Sequence, residues 1–94
     1  MKYKKVDFKI VVGKQVKRLR LKAGMTQDVL SERCGIYRTY LSRVEAGSAN
    51  PTLLILEALS TTLDVHIREL FEEVVAEEGG AKRASATRRR STKE

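Results

Sequence analysis

The run TQDVLSERCGIYRTYLSRV, residues 26–44, limits what this chain can fold into more than any other part of it. Leu30 and Cys34 lie four residues apart on one helical face, and Thr26 stands where its side-chain oxygen can cap that helix. Ser31 is small, so a second helix can cross closely over it. Gly35 follows as a residue that takes positive φ without a Cβ clash, which ends the first helix in a left-handed turn. Tyr37, Tyr40, Leu41 and Val44 then recur at i, i+3, i+4 and i+7, predicting a second amphipathic helix with those four side chains inward. Gln27, Ser31, Gly35, Ile36, Leu41 and Val44 together have the spacing of two short helices packed across a sharp turn, a helix-turn-helix.

The opposite face of the second helix carries Arg38, Thr39, Ser42 and Arg43. On an isolated helix such a face is ordinarily just solvated. Behind a helix-turn-helix pattern it has the chemistry to read base edges in a major groove. Arginine can donate two hydrogen bonds to guanine O6 and N7, while serine and threonine hydroxyls and the threonine methyl adapt to other bases.

Around this centre the sequence predicts three more helices. Residues 1–6 form a basic arm. A first helix over about 7–23 places Phe8, Val12, Val16 and Leu19 inward and stops at Gly24, while Lys14, Lys17, Arg18, Arg20 and Lys22 make its remaining surface basic. The central pair spans about 27–33 and 37–46, the latter ended by Gly47. Ser48-Ala49-Asn50-Pro51 is a turn, and Thr52 caps a helix over about 53–63 with Leu53, Leu56, Leu59 and Leu63 inward. Asp64-Val65-His66 leads into a last helix over about 67–78, whose apolar stripe is Ile67, Leu70, Phe71, Val74 and Val75 against five glutamates. Residues 79–94 lack any apolar period and read as a basic, disordered tail.

Composition narrows the classes. Ninety-four residues suit one small domain, 7–78, with little room for a buried catalytic cleft. The net charge of +7 looks like a nucleic-acid signature, but six basic residues against Glu94 place +5 of it in the tail and leave +2 for the rest. The case for DNA therefore rests on the motif. One cysteine, Cys34, excludes an internal disulfide and reads as a small buried residue of a reduced, cytoplasmic protein. No apolar run approaches the roughly 20 residues that cross a bilayer, and the amino terminus lacks a signal-peptide pattern. His66, the single histidine, reads as a loop cap. No metal site, cofactor, small-molecule ligand or enzymatic motif is expected.

Several linked segments resemble the lambda Cro and C1 repressor-type, or XRE-like, helix-turn-helix family. They are Val16-Lys17-Arg18-Leu19-Arg20, Gly24-Met25-Thr26-Gln27, the run from Arg38 to Gly47, Asn50-Pro51-Thr52-Leu53, and Leu63-Asp64-Val65, all in the family's order. The resemblance covers about residues 12–71. It implies an all-α, compact five-helix domain that binds double-stranded DNA, usually as a two-fold homodimer. It further implies that Arg38, Thr39 and Arg43 read bases, and Ser42 joins them as a base reader by its place on the same polar face. Gln27, Tyr40, Ser48 and Asn50 would meet the phosphate backbone, and Arg20 and Glu45 would form a structural ion pair; Thr26, beside Gln27 at the same helix start, is a further phosphate candidate. Departures are Tyr37 where Ser or Thr often opens the recognition helix, His66 in place of a capping Ser, and Ser31 in place of Ala.

The resulting expectation is a transcriptional regulator bound to a palindromic operator. Arg38-Thr39-Tyr40-Leu41-Ser42 recurs in similar form in restriction-modification controller proteins, which makes that role the leading one. An antitoxin or phage-type repressor, or a protein-interaction module of the same fold, are the alternatives. Dimerisation is expected through the last helix, with Phe71, Val74 and Val75 near the axis, and with Leu54 as a second candidate because Leu53, Leu56 and Leu59 already fill the inward face of their helix.

Overall fold

Side-chain caps decide where most of the helices start. The computed structural model describes residues 5–73 and contains, in order, α1 (Phe8–Lys22), α2 (Gln27–Cys34), α3 (Arg38–Glu45), α4 (Leu53–Leu63) and a short 3-10 helix (Ile67–Phe71). Asp7 Oδ1 accepts from the Lys9 amide at 3.1 Å, Thr26 Oγ1 from Val29 at 3.1 Å and Thr52 Oγ1 from Ile55 at 3.2 Å. His66 Nδ1 accepts from the Arg68 amide at 3.1 Å, so the histidine is the cap that its position suggests. Each cap satisfies an amide that the first turn leaves without a carbonyl. At the other end of α2, Gly35 takes φ 75° and returns its amide to Glu32, which turns the chain sharply into α3.

Every element contributes to one core. Val16 from α1, Leu30 from α2, Leu41 and Val44 from α3, Leu59 from α4 and Leu70 from the 3-10 helix are fully buried together. Helix α1 packs against α3 and the 3-10 helix, while α2 packs against α3 and α4. Ser31 is buried at this crossing and donates its hydroxyl to the Asp28 carbonyl at 3.0 Å within its own helix, so its polarity costs little.

Three expected core residues are outside it. Tyr37 is 83% exposed because it is the N-cap of α3, with φ −73° and ψ 143°; the 3.6-residue period does not extend to a residue with extended dihedrals. Leu53, the first residue of α4, is 69% exposed for a related reason, since it precedes the turns that reach the core. Phe8 overhangs the start of α1 and sets its ring edge-on against Phe71, with centroids 6.0 Å apart. Cys34 is half-buried rather than sealed, its thiol donating to the Ala58 carbonyl at 3.7 Å.

The last element also differs from the expected α-helix over 67–78. It is a single 3-10 stretch, after which Glu72 is extended. Gln15, buried on α1, donates through Nε2 to the Glu72 carbonyl at 2.6 Å and ties this extended residue to the first helix. Val74, Val75 and the basic tail lie outside the described residues.

Candidate nucleic-acid interface

Helix α3 separates its two faces cleanly. Leu41 and Val44 are buried beneath it, while Arg38, Thr39, Ser42 and Arg43 are exposed on its outer surface. The only acidic side chain paired with this face among the described residues is Asp28 of α2, whose Oδ1 lies 3.1 Å from Arg38 Nε, with both groups well exposed. An ion pair so open to solvent is weak. It leaves the guanidinium available to a stronger acceptor.

The expected phosphate-contacting residues occupy different surroundings. Thr26 is exposed and its hydroxyl oxygen caps α2. Ser48, also exposed, donates to the Arg43 carbonyl at 3.3 Å, and Asn50 is exposed beyond it. Tyr40 is half-buried and packs its ring against the core.

Gln27 belongs to a buried polar network that holds α1, α2 and α3 in register. Arg20 donates from Nε to Glu45 Oε2 at 2.6 Å and from Nη2 to Oε1 at 3.0 Å, while its Nη1 donates to the Met25 carbonyl at 2.9 Å. Gln27 Nε2 adds a bond to Glu45 Oε1 at 3.0 Å. The hydrogen bond that Arg20 donates to Glu45 raises the Arg20 pKa above its ordinary value, against the opposing effect of burial, so the charge is fixed. One Gln27 amide hydrogen is thus spent on Glu45, and the second makes no bond among the described residues.

Two residues that the sequence pattern did not single out hold α1 against its neighbours. Gly13 lies where α1 crosses the end of α3, and a Cβ there would fall 2.8 Å from the Glu45 carbonyl oxygen and closer still to that of Val44. The close approach is visible only in the packed structure; a lone glycine inside an amphipathic helix was the available hint. Gln15 accepts from Arg18 Nε at 2.9 Å as well as holding Glu72. Of the expected dimer residues, Leu54 is 74% exposed on α4 and Phe71 is partly covered by Phe8. The chain leaves helical geometry at Glu72, directly after Phe71, and Val74 and Val75 lie outside the described residues.

Comparison with known proteins agrees with this geometry. Residues 16–70 match the HTH_3 family model, described as helix-turn-helix. The chain is 33% identical over 67 residues to the control protein C.BamHI of Bacillus amyloliquefaciens, covering 70% of this chain and 83% of that one. The solved restriction-modification controller protein C.AhdI from Aeromonas hydrophila superposes with a TM-score of 0.65 at 35% identity, over 67% of this chain and 96% of its own. SinR, the master regulator for biofilm formation, solved in complex with DNA, superposes with a TM-score of 0.63 at 32% identity, over 65% of this chain and 98% of its own.

Proposed function

The chain belongs to the HTH_3 helix-turn-helix family of DNA-binding transcriptional regulators, and from that premise we propose that it controls transcription by occupying a palindromic operator as a homodimer. The observation that carries this reading is the division of α3, where four exposed polar side chains stand over a sealed apolar face. Arg38, Thr39, Ser42 and Arg43 read base edges. Thr26, Gln27, Tyr40, Ser48 and Asn50 meet the phosphate backbone and set the register. Gln27 keeps a second amide hydrogen at the start of α2, where the helix dipole favours an anion.

Restriction-modification control is the specific role we assign, on the strength of the likeness to C.BamHI and C.AhdI. The protein then acts in the cytoplasm, in keeping with the finding that no helix among the described residues is long and apolar enough to cross a membrane. Leu54 and Phe71 form the two-fold contact together with the Val74-Val75 that follows, since exposed Leu54 and half-covered Phe71 leave apolar surface to bury. Two recognition helices so related meet half-sites about 34–36 Å apart.

Selection of bound duplexes from a random pool tests the proposal. The expected product is one recurring palindrome whose half-sites lie one helical turn apart. Recovery of no common sequence would remove sequence-specific operator binding as the function.

A further inference from the structure

Tyr37 is the most exposed large apolar side chain among the described residues, at 83%. It stands at the N-cap of α3, directly before Arg38. Asp7, Thr26, Thr52 and His66 cap the other elements through their side chains, whereas Tyr37 makes no such bond, and α3 alone starts without one. The forgone cap works against folding, and the ring gains almost no burial from it. They coincide at the end of a recognition helix that enters the major groove first.

The apolar group that base pairs display in that groove is the C5-methyl of thymine. We propose that Tyr37 is a specificity-determining residue whose ring packs on a thymine methyl, next to the base pair contacted by Arg38. This inference rests on the reading of α3 as the recognition helix. It assigns the ring, and not the hydroxyl, as the part that selects, because the ring supplies the unpartnered apolar surface.

The test uses the full chain and a duplex selected from a random pool, with each half-site thymine replaced in turn by deoxyuracil, which removes only the methyl. At one position per half-site the parent should bind about fourfold more weakly, the equivalent of one buried methyl or methylene at about 0.8 kcal/mol. Tyr37→Ala should already have lost that increment and show no further change there, while Tyr37→Phe should behave as the parent. Tyr37→Ser, which supplies a capping hydroxyl, should melt at a higher temperature yet bind the operator as weakly as Tyr37→Ala, separating recognition from folding. The proposal is overturned if Tyr37→Ala binds like the parent, if its loss is the same whichever thymine is replaced, if Tyr37→Phe loses as much as Tyr37→Ala, or if the selected half-site holds no thymine. Arg38→Ala, run in parallel, identifies which idea has failed. A loss of operator binding with Arg38→Ala but none with Tyr37→Ala removes Tyr37 alone. No loss with either variant removes the reading of α3, and this inference with it.

Discussion

Arg20 and Glu45, separated by 25 residues in the chain, face one another through two hydrogen bonds of 2.6 and 3.0 Å. Only 9% of the arginine side chain and 4% of the glutamate side chain remain exposed. The pair joins the last turns of α1 to the last residue of α3, and Met25 and Gln27 supply the remaining partners. Desolvating two charges is costly, and the paired geometry with its extra bonds is what offsets that cost.

Breaking this pair from one side should therefore be severe. Glu45→Ala leaves a buried guanidinium with one carbonyl acceptor and should cost about 3–5 kcal/mol. Urea denaturation measures it; a loss below about 1 kcal/mol, typical of a surface pair, would contradict the buried network.

Gly13→Ala reverses an ordinary trend. Alanine inside a helix normally gains about 1 kcal/mol over glycine. Here the added Cβ meets the carbonyl oxygens of Val44 and Glu45, which belong to backbone and cannot swing aside. The variant should lose about 1–3 kcal/mol, as overpacked sites do, and should melt at a lower temperature than the parent. A higher melting temperature would show that α1 and α3 can separate without penalty.

Gln27→Ala should weaken binding to operator and random duplex by a similar factor, because a phosphate contact positions the protein without reading sequence. Repeating the duplex selection with this variant checks the assignment. Unchanged base preferences are expected, and a new consensus would make Gln27 a base reader.

Arg38→Ala and Arg43→Ala should each cost about 1–3 kcal/mol on the operator and far less on random DNA. Titrations at one fixed salt concentration separate the two quantities. Equal losses on both duplexes would reduce these arginines to phosphate contacts.

Burial raises the pKa of the Cys34 thiol above its ordinary value, with a bond to Thr62 opposing in part. Less thiolate is then present near neutral pH than on a free cysteine, and the thiolate is the reactive form. Alkylation by iodoacetamide at pH 7.5 should be slow in the native protein and should speed up on unfolding in urea. Equal rates in the two states would mean that the thiol is not protected by its surroundings.

Much of this protein was already determined by short-range chemistry in its sequence. A cap such as Thr26 acts on an amide three residues away, and Gly35 turns the chain through its own φ, so both can be read in a window of a few residues. The interior positions of α1 to α4 follow the same logic, because Val16, Leu30, Leu41, Val44 and Leu59 repeat with the helix that carries them. The outer face of α3 was legible as the complement of its apolar stripe. The linked motifs from Val16 to Val65 pointed to the helix-turn-helix family that the comparisons show.

Tertiary structure alone decided what depends on a distant partner or on where a helix gains its dihedrals. Gln15 ties the end of the last element to α1 by binding the carbonyl of Glu72, 57 residues away, and no local pattern in the 67–78 stretch contains that bond. Gly13 matters because of two carbonyls on another helix. Tyr37 fits the apolar period by count, yet its extended backbone turns the ring to solvent, since periodicity constrains only residues already wound into the helix.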